Sequence, residues 1–320
     1  MSFPNVTDIV ATTIENRSRE IADNVTKNNA LLKRLDQKGK IRPFSGGSLI
    51  FEELSFAENG NFGWYSGYDL LPVAAQDVIS AAQYAIKQAA TPVVISGLEL
   101  LQNAGKEALI DLLEKRIGVA EATMANNLAA GIYSDGTGYG GKQLTGLAAA
   151  VPIDPTTGTY GGINRATWTF WRSQVQAASG FTSANIQSLM NNLWAQQVRG
   201  KDRPDLIVFD NTLWAAYMAS LQAQQRFMSP TKGDLGFPTI AFMDADVVLD
   251  GGIGGFAPAG SGWFLNTDYI FLRPHKDRDM VPLSPSRRVS INQDAEVEIL
   301  AWAGNMTVSN SKLQGFLKGF

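Results

Sequence analysis

Apolar residues near the start of the chain recur at spacings of three, four and seven. Val10, Ile14, Ile21, Val25, Leu32 and Leu35 fall on one helical face, and Asn28 interrupts the stripe. So narrow a seam predicts a helix that packs on something else. The pattern then changes. SGGSLIFEELSF reads as a short strand after a glycine turn, ENGNFGWYSGYDLLP is rich in Gly, Asn and aromatics, and DVISAAQYAIKQ fits a strand or a helix. Two extended segments joined by a Gly-rich tip predict a long hairpin. Phe62, Trp64, Tyr65 and Tyr68 crowd that tip, so it is either folded back on its own domain or docked on a partner.

TPVVIS (residues 91–96) predicts a buried strand. The strongest helical pattern follows, over about 98–133 with a bend near Gly105, carried by Leu109, Leu113, Ile117, Ala120, Met124 and Leu128. From Gly105 to Tyr133 the rise is about 43 Å at about 1.5 Å per residue, which suits a structural axis. A Gly- and Thr-rich connector leads to helices predicted over 165–178 and 183–198, the second with Thr182 or Ser183 as N-cap. PDLIVFDNTLWAAYMASLQAQQRF reads as a buried strand, Asp210 as N-cap, then a helix. TIAFM, DVVLD, GWFLN and YIFLRP read as short strands, and VEILAWAGNMTVSNSKLQGFL alternates well enough for two or three more. Without regular βαβ alternation the class is α+β, and no internal repeat is visible.

Charged residues make up only 18% of the 320 positions, below the roughly 25% of an ordinary globular chain. That fits a surface partly consumed by partners, or a plain large domain. The net charge of −3 sets up no global field toward nucleic acid. The chain has no cysteine, which excludes disulfides, a thiolate nucleophile and a Cys-based metal site. The opening residues lack a basic region followed by an apolar block, and no apolar run approaches the roughly 18 residues of a membrane helix, so neither a secretory signal nor a membrane partner is expected. Charge is distributed locally instead. Lys27, Lys33, Arg34, Lys38, Lys40 and Arg42 stand against Asp36 alone, as a solvated face or as a basic arm that meets an acidic neighbour or packaged nucleic acid. The hairpin is one-sided in the other direction: Glu52, Glu53, Glu58, Asp69 and Asp77, with no Lys or Arg between Pro43 and Ile86.

Candidate chemistry is thin. His275, the single histidine, sits in RPHKDRD with no flagged nucleophile beside it. GTGYGGK (136–142) has phosphate-loop spacing, but Gln143 replaces the magnesium-binding hydroxyl and the segment follows a helix instead of a strand. Asp244, Asp246 and Asp250 lack the Gly and distal Glu of a calcium loop and read as strand-end and turn residues. Trp168, Trp171, Trp194 and Trp214 fall in helical patterns and read as core. No catalytic residue, metal or cofactor is expected.

The order of parts resembles the major capsid protein of tailed bacteriophages, the Hong Kong-type fold. SDGTGYGGKQLTGLAAAV is similar to that family's connector ending in a Gly-Leu pair, here Gly146 and Leu147. TYGGINRATWTFWRSQV is similar to a segment common among phage capsid proteins through Gly162, Ile163, Arg165 and Trp171, and AGNMTVSNSKLQGFL to the C-terminal strand pair through Asn310 and Gly315. The resemblance covers nearly the whole chain. It implies an N-arm at 1–45 and an extended E-loop at 46–90. It further implies a P-domain from 91–163 with 285–320, with a long spine helix, and an A-domain at 164–284. It implies a subunit that binds copies of itself in hexamers and pentamers. Portal and separate scaffolding or decoration proteins would be partners, and packaged double-stranded DNA would be enclosed in a virion assembled in the host bacterial cytoplasm. An encapsulin-like nanocompartment shell is the alternative of the same fold. The candidate inter-subunit contacts are Phe62, Trp64, Tyr65, Tyr68, Glu52, Glu53 and Asp69 on the E-loop, with Lys33, Arg34 and Arg42 of a neighbour opposite its acids. Some members weld their shells through an E-loop lysine; no lysine lies between Gly46 and Ile86, so no such crosslink is expected here.

Overall fold

The computed structural model describes residues 29–98, 106–221, 239–251, 255–283, 288–289 and 295–320. Helix α1 (Ala30–Gln37) begins where Asn29, in extended backbone, accepts from the amides of Leu31 and Leu32 at 3.0 and 3.2 Å. Leu31, Leu32 and Leu35 are buried, so the end of the expected stripe is a packed face; Val10, Ile14, Ile21 and Val25 lie outside the described residues.

The expected hairpin is present. Strands β1 (Leu49–Ser55) and β2 (Ile79–Ala85) pair antiparallel from Leu49–Ala85 to Ser55–Ile79, and the undecided segment after Asp77 is strand. Strand β3 (Lys87–Ser96) leaves the hairpin for a central sheet. It is not the buried strand expected: only Val93 and Ile95 are buried, Ala89 packs partly against the core, and the alternate positions face solvent. Helix α2 (Lys106–Ile132) runs about 40 Å at about 1.5 Å per residue. It buries Ile117, Ala120, Met124, Leu128 and Ile132 along one side.

The connector forms single turns at Gly138–Gly141 and Leu147–Ala150, then a tight hairpin of β4 (Thr159–Tyr160) and β5 (Ile163–Asn164). Its two turn residues, Gly161 and Gly162, have φ of 59° and 75°, the conformation that turn type requires. The helix expected over 165–178 does not form. A 3-10 turn at Thr169–Trp171 and strand β6 (Gln174–Ala177) take its place. Two tertiary contacts override the local pattern: the Trp171 indole donates to Tyr160 O at 2.9 Å, and β6 is drawn parallel to the C-terminal strand. Trp171 is core, as expected, but Trp168 is half in solvent.

Helix α3 (Ile186–Gln197) starts later than expected. Asn185 holds the cap position and its side chain accepts from Thr182 N at 2.6 Å, whereas neither Thr182 nor Ser183 caps. Strand β7 (Leu206–Phe209) is fully buried, and Asp210 caps α4 (Asn211–Leu221) through the amides of Thr212 and Leu213, as expected. The remaining strands are β8 (Thr239–Phe242), β9 (Ala245–Leu249), β10 (Ser261–Leu265), β11 (Ile270–Pro274), β12 (Val281–Pro282), β13 (Arg288–Val289), β14 (Ala295–Val308) and β15 (Gly315–Lys318).

Two sheets organise these elements. In the central sheet β14 pairs with β3 on one edge and with β11, β12 and β13 on the other. The second sheet has the order β6-β15-β10-β7-β9-β8. Strand pairing crosses the boundaries expected from sequence. β11 and β12, from the 164–284 stretch, join the central sheet; β15, from the 285–320 stretch, joins the second. The chain passes between sheets there because β15 fills the place beside β10 through its own alternating apolar face.

The second sheet is buried on both faces, with period-two alternation deciding which. Leu206, Val208, Val248, Trp263 and Phe316 face α1, α2 and the central sheet. Ile207, Phe209, Val247, Phe264 and Leu317 face α3 and α4 through Met190, Leu193, Leu213 and Tyr217. The connector closes over the end of α2 at Gly146, whose amide donates to Ser134 O at 3.1 Å. A Cβ at Gly146 would collide with the carbonyls of Gly131 and Ile132, which are backbone atoms with little freedom to move. Gly146→Ala is therefore expected to destabilise the subunit by about 3 kcal/mol. An unfolding midpoint in urea equal to that of the parent would contradict this packing.

Candidate functional site

The β1–β2 arm has an inner and an outer face because its side chains alternate. Ile50, Leu54, Ala82 and Tyr84 point to the core, and Phe51, Glu53 and Gln83 point out. Glu52 falls on the inner face, between Ile50 and Leu54, and is buried. It lies 3.1 Å from Arg273 Nε on β11 and accepts from the Thr307 hydroxyl on β14 at 2.9 Å. The Tyr84 hydroxyl donates to Val308 O at 2.7 Å and accepts from Val308 N at 3.3 Å. Burial pushes the Tyr84 phenol well above its ordinary range, so it stays a neutral donor. Asn305 donates to Ala85 O at 2.8 Å and accepts from Thr145 N at 3.0 Å. The arm is thus bonded at its root to the central sheet.

Further out, Phe56 packs on Trp168 and Phe170 with ring centroids 6.0 and 5.5 Å apart. Beyond that cluster the bonds are internal to the tip. Asn61 donates to Ala74 O, Ser66 N donates to Asp69 at 2.9 Å, and Phe62 meets Trp64 edge to face at 5.6 Å. Every residue from Phe62 to Asp77 is exposed. Trp64 is 95% exposed and Tyr68 fully so, with Phe62, Tyr65, Leu70 and Val73 also mostly in solvent. Of the two options the sequence left open, the tip does not fold back on its own domain.

The expected charged contacts divide. Glu53 and Asp69 are exposed on the arm, and Arg42 is exposed with its guanidinium 4.7 Å above the Phe271 ring. Lys33 is half-buried on α1. Glu52 and Arg34 are corrected: both are engaged within the chain. Arg34 binds Asp246 and lies 3.5 Å from Asp205, while Lys38 pairs with Asp205 at 3.0 Å and Asp268 at 3.2 Å, and Lys40 with Asp268 at 3.7 Å. This basic run docks α1 onto aspartates of the second sheet. At the other end of α1, Asn29 donates to Asp250 at 3.3 Å, and the Tyr133 hydroxyl from α2 donates to the same carboxylate.

The weaker chemical candidates come apart. Asp244 pairs with Arg203 at 2.8 Å, so the three aspartates serve three different partners; among the described residues no group of three metal-ligating side chains converges. GTGYGGK forms a turn with Tyr139 and Gly140 at positive φ, following α2, and not a strand–loop–helix. His275 packs edge-on against Phe44 and accepts from Asp277 N at 3.1 Å. Among the described residues no helix is long and apolar enough to cross a membrane.

No protein-family model and no curated protein sequence matches the chain. Its three-dimensional likenesses are clear. A chain of the cyanophage A-1(L) capsid asymmetric unit superposes with a TM-score of 0.63 at 15% identity, covering 88% of this chain and 90% of that one. A chain of the capsid of a native GTA particle gives 0.60 at 15% identity over 89% of each. A chain of Mycobacterium phage Bobi gives 0.56 at 9% identity over 91% and 90%. The chain has a phage capsid fold.

Within this capsid fold the arm root is the part that sequence missed. Thr307, Arg273 and Tyr84 carried no motif; the signal was Glu52 at an inward register position, which required a buried partner. Glu52→Ala leaves the Arg273 guanidinium half-buried without its carboxylate. The expected loss is about 2 kcal/mol, less than a fully buried pair because both groups touch solvent. A chemical-denaturation midpoint within error of the parent would contradict the root as drawn.

Asp250 sets a pH dependence. Burial raises its carboxyl above the ordinary value, against the opposing hydrogen bonds from Tyr133 and the Phe256 amide. The folded state therefore keeps this proton to higher pH than the unfolded state. Its contribution is complete below the usual carboxylate range and is lost as pH rises through the raised pKa. Asp250→Asn removes the titration. As pH rises from the ordinary carboxylate range toward neutrality its urea midpoint should fall less than the parent's, and equal slopes would contradict the assignment.

Proposed function

We propose that the chain is the major capsid protein of a tailed bacteriophage. It assembles through hexamers and pentamers into an icosahedral head around double-stranded DNA, with a structural and not an enzymatic role. The observation that carries this reading is the arm: bonded at its root, and bare at an aromatic tip. Four such rings removing about 150 Å² each bury about 600 Å², most of the roughly 800 Å² that one partner contributes to a standard interface. A neighbouring copy is the occupant that a closed shell supplies in every position. The capsid fold, matched over nearly the whole length of the cyanophage and GTA chains, supports the same reading. Those likenesses lend nothing to a nanocompartment shell.

The acids exposed on the arm, Glu53, Glu58, Asp69 and Asp77, are the ones that would steer register against Arg42 of a neighbour. Portal, scaffolding or decoration proteins and packaged DNA are the further partners of this reading. Negative-stain electron microscopy of the expressed chain should show closed shells or five- and six-membered rings. Monodisperse monomers, both alone and with phage scaffolding protein added, would overturn the proposal. Trp64→Ala should yield a subunit with the parent's thermal midpoint and few particles; particles in parental number and stability would remove the tip from the assembly contact.

A further inference from the structure

The tip of the arm is bare, and so is a notch near its root. The notch, a cleft of about 330 Å³, is lined among others by Phe56, Ser80, Gln83, Ile163, Trp168 and Phe170. Its floor is aromatic and fixed. Phe56 stacks on Phe170 at 5.5 Å, and Trp168 meets the two rings edge to face at 6.0 and 5.9 Å. Phe170 in turn lies 6.2 Å from Trp171, which is core. Yet Trp168 is 47% exposed. A rigid apolar floor left open to water suits a ring brought from outside. Phe51, opposite Gln83 in register, and Ile79, beside Ser80, are exposed and extend the same ground.

The notch also offers backbone. Strand β2 pairs with β1 alone, so its other edge is free. On that edge Gln83 N donates to Gly161 O at 2.9 Å, in the turn of the β4–β5 hairpin. Ala81, two residues away, aims its amide and carbonyl at the same edge and finds no partner there among the described residues. Ala81 lines the notch as well, and its carbonyl is the acceptor that a buried indole N–H needs. Of the four tip rings only Trp64 carries such a donor, and it is 95% exposed. Charge permits the approach. Residues 59–68 carry none, so Trp64 can reach the strand pair without setting a carboxylate against Glu53, which stands opposite Ala81. Arg172, just past the aromatic turn, donates to Arg165 O at 2.7 Å and Ala166 O at 2.9 Å and is the cation at hand for the acids farther along the tip.

We propose that Trp64 of one copy seats in the notch of the next, on the floor of Phe56, Trp168 and Phe170, with its indole N–H donating to Ala81 O. The inference rests on the shell reading and deepens it by naming the surface that takes the tip. One tip and one notch per copy make the contact head to tail, so it runs from copy to copy around a ring. The chain lacks cysteine, so engineered thiols report only on themselves. Gly63 has open space where a Cβ would stand, and Gln83 is exposed. Full-length Gly63→Cys mixed with full-length Gln83→Cys should oxidise to a disulfide-linked dimer on a non-reducing gel, and the double variant in assembled particles should give a ladder of covalent oligomers. Trp64→Ala in the first chain, or Trp168→Ala in the second, should slow the crosslink about tenfold. Four results would overturn the inference: a dimer of Gly63→Cys alone, an intrachain band in the double variant, crosslinking to Val119→Cys on exposed α2 in place of Gln83→Cys, or a rate unchanged by either alanine. So would no crosslink both in solution and in particles. The two readings fail separately. Particles without the crosslink remove the notch and keep the shell, while the crosslink without particles keeps the tip-to-notch contact and removes the shell.

Discussion

Strand β14 is the constraint on which the other parts depend. Its pairing with β3 ends at Gly304–Lys87, four residues before the strand itself does. The backbone beyond that point needs other partners on that edge, because a buried amide or carbonyl without one is costly. The arm supplies them. Tyr84 answers both backbone groups of Val308, Glu52 takes the Thr307 hydroxyl, and Asn305 reaches back to Ala85 O. The sheet edge and the arm root therefore complete each other. A lever with a satisfied root can hold an unsatisfied tip away from the body, and that is how Trp64 and Tyr68 stay in solvent without collapsing onto the core.

The same logic governs α1. Read along the sequence, Lys33 to Arg42 is a basic run with one acid beside it. In the fold, Asp205, Asp246 and Asp268 come from the second sheet and its flanks, and three of the bases are used in holding the helix down. The partners lie some 170 to 230 positions away in the chain, so no local window could have paired them. A charge run is ambiguous until the fold says what faces it. Here the intramolecular acids claim Arg34, Lys38 and Lys40, and they leave Arg42 outward.

Period decided what was legible. The arm, the long helix and all four short strands between Thr239 and Pro274 follow from alternation of two or of about 3.6, and Asp210 declared its cap by residue type. Residues 165–178 misled, because their spacing of aromatics mimics a helix while Trp171 is pinned to Tyr160 and β6 is claimed by β15. Glu52 misled differently. It was counted with the exposed acids of the arm, although its place between Ile50 and Leu54 already put it on the inner face. The sheet-crossing of β15 had no local signal at all, since strand partners are a property of the whole chain.

The charge of the tip bears on how copies would meet. An exposed aromatic tip that could pair with another tip would close a two-fold contact and stop there. Glu53, Glu58, Asp69 and Asp77 all carry one sign, with no base from Pro43 to Ile86 to offset them. Two tips brought together would set like charges against each other, and that repulsion is strongest where apolar burial begins to exclude water. On the proposed assembly the aromatic residues would take their cover from a different surface of the next copy. Contacts between unlike patches propagate around a ring, which a self-complementary contact cannot do. In that assembly the acids would act less as glue than as a rule about which surfaces meet.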